Sequence, residues 1–294
     1  MELLLNEKSL DGQFANLTAF YESLPEMSKN LRVLRESGIS LYKHSSLYAR
    51  RITEDVTILD LQNSGGKIAP IYRDQVRRWK RELSALVKTP PFWDEEDGMC
   101  QMTGSAVAAH SYDVSQDSLE EAARRRTDVL SFLHSDYQDV LLYIVHGGES
   151  IPVRSAVSTK YLLDLLLEKR EVEPVFYLKM RYGNERIRMD HLDEVTESVS
   201  YLQKSEVQEV ISALDRFDDA SSWEEIFHDR FFNHKSYQPP SNRQNYFYGT
   251  KFADKQIDKF RCGQHSRIRC FGYREGECFY VLMVERDHSV SDHG

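Results

Sequence analysis

No stretch of this chain approaches the roughly 20 apolar residues that a spanning helix needs. An ordinary membrane helix is therefore excluded. The opening residues MELLLNEKSLDGQF carry no basic stretch ahead of their leucines and soon turn polar, so no secretory leader is expected. Cysteine is scarce. The four are Cys100, Cys262, Cys270 and Cys278, too few and too clustered for a disulfide framework. A reducing compartment, the cytoplasm, is expected. A phosphate loop, a zinc-protease helix and a kinase signature set are all missing. Ser105 in TGSAV lacks the flanking glycines of a nucleophile elbow, and HGGES lacks the strand-then-helix setting of a dinucleotide site. There is no internal repeat and no low-complexity tract. An excess of positive charge is also missing: the net charge is -9, which argues against non-specific binding of nucleic acid by the chain as a whole.

What remains is a globular composition. The 294 residues are 40% hydrophobic with a mean hydropathy of -0.56, enough for one large domain or two ordinary ones without a covalent or metal staple. The charge is unevenly spread. Arg230 to Arg274 holds ten Lys/Arg against two acids, Asp254 and Asp258, a net of +8 that leaves -17 elsewhere. Such a basic island on an acidic protein is a local polyanion signal, or else a mixed surface dense in arginine. The acidic loop Asp94–Asp97 reads as solvated charge, not as a metal cluster.

Periodicity supplies the elements. Residues 16–37 have helical spacing interrupted by Pro25, which predicts two helices. GISLY and DVTILDL read as short strands, and QNSGG (62–66) as a turn. Residues 71–88 read as an amphipathic helix striped by Val76, Trp79, Leu83 and Leu86, with TPPF as its stop. A short helix over 104–109, a capping box from Ser118 to Glu121, and strands at 128–133 and 139–145 follow, with HGGES closing the strand pair. Residues 157–169 read as a helix, 175–189 as a hairpin turning at Gly183–Asn184, and 190–217 as two helices with a Ser205–Gln208 box. SSWEEIFHDRFF predicts a helix capped at Ser221 or Ser222. Residues 234–250 read as a loop. The fold class is α+β, with a mixed helical and antiparallel part over 1–203 and a small basic helix-plus-hairpin part over 204–294.

The segment KFRCGQHSRIRCFGYREGECFYVLMVERDH, 259–288, is the sharpest local pattern. A two-residue turn at Glu275–Gly276 opposes Gly272 to Phe279, Cys270 to Val281 and Ile268 to Met283. Period two then gives one apolar face and one face with Arg267, Arg269, Phe271 and Tyr273 beside Cys278, Tyr280, Leu282 and Val284. Cys270 and Cys278 fall on opposite faces and cannot share a metal. The spacing of Cys262, His265, Cys270 and Cys278 also misses structural zinc patterns, so no metal or other cofactor is expected. Arginine beside tyrosine on a strand offers fixed phosphate donors and a stacking surface. If 251–260 is helical, Lys251, Lys255 and Lys259 share a face and make a positive groove with Arg261 and the arginine strand. His228 and His234, flanking two phenylalanines, read as structural.

Over its last 70 or so residues, a helical stretch followed by R-I-R-C-F-G-Y-R-E-G-E-C-F-Y-V-L-M-V-E-R-D-H resembles the C-terminal half of the RelE/ParE superfamily of toxins, including HigB-like and YoeB-like ribonucleases. The resemblance implies a metal-independent ribonuclease in a prokaryotic antiphage or toxin–antitoxin setting, acting through attack of a ribose 2′-OH on phosphate. Carried over, Arg267 and Arg269 would hold the phosphate and His288 would be the acid or base. Tyr280 would stack a base or support proton transfer. Lys259 or Arg261 would neutralise charge. From the basic island itself, Lys251, Lys255, Lys259, Arg261 and Arg274 are expected to bind nucleic acid. Asp287 and the six residues after His288 depart from the pattern. Two alternatives stand beside this: a subunit that binds nucleic acid without chemistry, and a protein-interaction component whose acidic part binds a partner or inhibitor, or masks the basic part.

Overall fold

The computed structural model describes residues 1–63, 73–96, 117–183, 186–239 and 244–290. The chain divides into two compact units, Met1–Leu166 and Leu167–Gly294, so the boundary expected between residues 203 and 204 lies inside the second. It is an α+β protein, with nine helices and two mixed five-stranded sheets among the described residues. None of these helices is long and apolar enough to cross a membrane.

The first unit contains β1 (Glu2–Asn6), α1 (Leu17–Ser37), β2 (Ser40–Tyr42), α2 (Ile58–Asn63), α3 (Arg73–Lys88), α4 (Trp93–Glu96), α5 (Ser118–Arg125), β3 (Asp128–Ser131), β4 (Val140–His146), β5 (Glu149–Ala156) and α6 (Thr159–Glu168). Its sheet runs β2-β1-β3-β5-β4, parallel except for β4 against β5. Leu3, Leu4 and Leu5 are all fully buried, as a continuous apolar run must be in a central parallel strand. Across one face, Leu119, Ala122 and Ala123 of α5 pack on Leu4, Val129, Ile151 and Val153. The helix is capped by Asp117, which accepts from the Leu119 and Glu120 amides at 2.9 and 3.0 Å. The expected Ser118–Glu121 box does not form. Glu121 turns instead to Arg124 and Arg125, and those two guanidiniums overcome the cost of its burial and hold its carboxyl below the usual range.

Several expectations are corrected here. Pro25 does not split α1; it lies on the exposed side of a helix that runs on through it. DVTILDL is not a strand: Ile58 to Leu61 open helix α2. Thr57 and Asp60 cap it reciprocally: the Asp60 amide donates to Thr57 Oγ1 at 3.1 Å and the Thr57 amide to Asp60 at 2.9 Å. HGGES does not end a strand pair but turns β4 into the unforeseen β5, with Gly147 and Gly148 at φ 59° and 84°. Asp94 of α4 accepts from the Ser45 amide and hydroxyl at 2.8 and 2.5 Å, so it serves the chain locally. The 104–109 helix, Ser105 and Cys100 lie outside the described residues, as does most of the QNSGG turn.

The second unit holds α7 (Pro174–Arg181), β6 (Ile187–Arg188), α8 (Lys204–Asp218), α9 (Trp223–His228), β7 (Lys235–Ser236), β8 (Ile257–Arg261), β9 (Arg269–Glu275) and β10 (Cys278–Glu285). The predicted 175–189 hairpin is overturned: its first half is α7, started by Pro174 at the first helical turn. Arg181 anchors α7 to α8 through a fork onto Asp215 at 2.6 and 2.7 Å, joined by the Tyr182 hydroxyl at 2.6 Å. Of the two helices expected over 190–217 only α8 forms. Its box is Gln203–Glu206, not Ser205–Gln208. Ser222 caps α9. The sheet runs β6-β10-β9-β8-β7, antiparallel except for β6 beside β10.

The β9–β10 hairpin turns at Gly276–Glu277, so Cys278 opposes Glu275 and Tyr280 opposes Tyr273. This is two residues along from the predicted register, and it keeps the faces. A bulge between Val281 and Met283 then reverses them: Met283 opposes Phe271 and Val284 opposes Cys270. Gly272 has no room for a side chain. A Cβ there would run into the Tyr280 carbonyl and come within 2.6 Å of the Phe279 ring. Gly272→Ala is expected to cost about 1–3 kcal/mol by overpacking, read as a lowered urea midpoint with an unchanged slope.

Candidate nucleic-acid interface

β9 is buried from Arg269 to Tyr273, on both faces. On one side Phe217 of α8 centres an aromatic cluster, 4.8 Å from Phe260, 5.4 Å from Phe279 and 5.4 Å from Phe232. On the other, Phe271 and Tyr273 pack with Tyr237, Phe247, Phe252, Ile257 and Met283. The predicted open arginine–tyrosine groove is therefore corrected. The cue is Tyr237 and Phe247, inside the expected 234–250 loop, which together with Phe252 cover that face.

The predicted basic residues are mostly engaged at home. Residues 250–256 form turns rather than a helix, and Lys259 lies in β8, so no row of three lysines forms. Lys251 pairs with Glu194 at 2.6 Å. Lys255 pairs with Glu275 at 3.2 Å and lies 4.8 Å from the Tyr273 ring centre. Arg274 stacks over Trp223 at 4.3 Å and donates to the Gly276 carbonyl at 2.8 Å. Arg269 is 8% exposed and donates to the Ser266 and Ile268 carbonyls at 2.8 and 3.1 Å. Burial, and then the charge of Arg261, hold its guanidinium below the usual range.

The four residues assigned to catalysis do not converge. Tyr280 lies near the Gly276 turn, stacked on Tyr273 with ring centres 5.0 Å apart and planes within 6°. Arg269 opposes Glu285 at the far end of the hairpin. Five residues of strand separate Tyr280 from that end, roughly 15 Å. Arg267 is exposed in the loop entering β9, and half-buried His288 follows β10, so these two share the far end with Arg269.

That end also carries two like-charged cross-strand pairs. Lys235 of β7 is the cross-strand partner of Lys259 of β8, and Arg261 of β8 is the partner of Arg269 of β9. Period two puts Lys259 and Arg261 on one face. Four cations thus occupy one corner in two like-charged cross-strand pairs, an arrangement that costs stability by itself. Glu285 gives Arg269 partial compensation.

Other candidates resolve structurally. His234 is buried beside Asp258, Nε2 to carboxylate 3.8 Å, and burial lowers its pKa. His228 is exposed, its ring within 2.8 Å of the Glu224 carbonyl. Cys262 and Cys270 are neighbours, Sγ to Sγ 3.4 Å, both buried, and burial pushes the Cys262 thiol well up. Among the described residues no group of three or more His, Cys, Asp or Glu is arranged to hold a metal. No family model matches this chain, and it matches no curated protein and no solved structure.

Two outcomes follow. Iodoacetamide should modify half-buried Cys278 before Cys262 and Cys270, which should react only on unfolding. Lys235→Glu should stabilise the sheet by a few tenths of a kcal/mol by turning a like-charged pair into an opposite one, seen as a raised thermal midpoint at low salt.

Proposed function

We propose that the protein acts on nucleic acid, gripping its phosphates at the Lys235, Lys259, Arg261 and Arg267 corner of the second sheet, and that it does so as a binding protein, without chemistry. The observation that carries this reading is the double like-charged pairing at that corner. Cations placed directly opposite one another repel, and a polyanion that spans them relieves the repulsion and releases counterions. A single strand of RNA is the first candidate, because it lets successive phosphates follow a short row of cations.

A second reading keeps the RelE-like assignment of the last 70 residues and metal-independent cleavage. It is favoured by one arrangement: Arg267 and His288 lie at the same end of the hairpin. In that case Arg267 stabilises the phosphorane charge and His288 moves the proton, while Tyr280, at the other end, takes no part. The catalytic reading asks for an acid and a base around one phosphate, and of the four residues assigned to catalysis only His288 could move a proton at that end. Binding is therefore preferred.

Fluorescence anisotropy of a labelled single-stranded RNA, titrated between 50 and 300 mM salt, separates the readings. Lys259→Ala and Arg267→Ala should each weaken binding similarly across unrelated sequences and lower the salt slope by about one. Binding that is absent, or indifferent to salt, contradicts the proposal. RNA cleavage in EDTA that is lost in His288→Ala would establish the second reading instead.

A further inference from the structure

In the first unit a cleft of about 310 Å³ is bounded by α1, α3 and the β2 edge. Alternation along the strand turns Ile39, Leu41 and Lys43 to one side, and all three line it. Its walls are chiefly apolar, with Leu31 and Leu34 from α1, Leu86 from α3, and Pro91 beyond it. Lys43 is the exception. The side chain is 4% exposed, with Nζ 5.1 Å from the Phe92 ring centre. Among the described residues no carboxylate lies within ion-pair distance of it. A buried ammonium with a ring face for company and no anion is costly to keep. The same desolvation lowers its pKa to about 8.

The other charged groups facing the cleft do not supply the missing anion. Glu82 from α3 accepts from Ser28 Oγ at 2.5 Å. Arg32 from α1 is tied to Glu36 at 2.7 Å, and Arg35 adds a further positive charge. The adjacent His44–Asp94 pair, 3.5 Å apart, does not line it. The cleft thus joins an apolar body to a cationic end, at the lower limit of volumes that enclose a small organic molecule.

We propose that this cleft binds an organic anion with an apolar body, a carboxylate on a hydrocarbon frame, and that Lys43 is the group that holds the carboxylate. The site is independent of the nucleic-acid corner, which belongs to the second unit. Binding needs the ammonium form. Affinity is therefore full below pH 8 and falls as the pH rises through about 8, the value burial imposes on Lys43.

Calorimetric titration of the whole chain with decanoate, and with decylamine as the cationic counterpart, tests this. Decanoate should bind and decylamine should not. Lys43→Met should weaken decanoate at least about tenfold, the worth of a charge-assisted hydrogen bond, while Lys43→Arg retains most of the affinity. Lys43→Met should also raise the thermal midpoint of the free protein, because it buries a thioether in place of an unpaired charge. Should that variant not fold, the loss of wild-type decanoate affinity between pH 7 and 9 gives the same answer. Absence of decanoate binding, equal binding of decylamine, or undiminished affinity in Lys43→Met would each overturn the proposal.

Discussion

The second unit depends on one constraint: β9 must be covered on both faces. Phe217 closes one side against Phe260 and Phe279, and Tyr237, Phe247 and Phe252 close the other over Phe271 and Tyr273. A strand buried in this way cannot present its middle to a ligand. Its charged ends are what remain, so the arginines of β9 matter only where the strand begins. The cationic corner follows from this. Arg269 is drawn under cover and satisfied by carbonyls, while Lys235, Lys259 and Arg261 line up beside it. At the turn end, Lys255 and Arg274 are each matched to a nearby acid.

The bulge at Val281–Met283 is the second consequence. It lets Met283 join the lid cluster while Val284 turns to Cys270. Without it, Glu285 and Arg269 would not share a face, and Arg269 would lose the one carboxylate that opposes the repulsion of Arg261. A change of register of one residue therefore decides whether the corner is tolerable.

How much of this could be read from residues alone varied with the type of signal. The β9–β10 hairpin, α3, α5 and α6 were legible from their periodicity, although the box expected for α5 does not form, and α9 from its Ser222 cap. Tyr273 and Tyr280 were placed on one face correctly, since alternation survives a two-residue shift of the turn. Pro25 misled because its cost depends on which side of the helix it occupies. Residues 175–181 misled because β-rich composition was weighed above Pro174 and the later Asp215 anchor. DVTILDL misled for the same reason, with the Thr57–Asp60 box as the missed cue. The candidate site was legible in composition and not in geometry: the basic island is real, but which cations pair with acids and which face one another depends on strand order. Lys43 left no sequence signal at all, because a lysine after a three-residue strand looks like any surface lysine until the cleft is built around it.

The central claim is that the like-charged pairs at the corner are held apart for a polyanion. A double-mutant cycle across Lys235 and Lys259, measured as stability with and without a saturating single-stranded RNA, tests it most directly. The account predicts an unfavourable coupling in the free protein that vanishes or changes sign when RNA is bound. A coupling of zero in the free protein, or one that RNA leaves untouched, would contradict it.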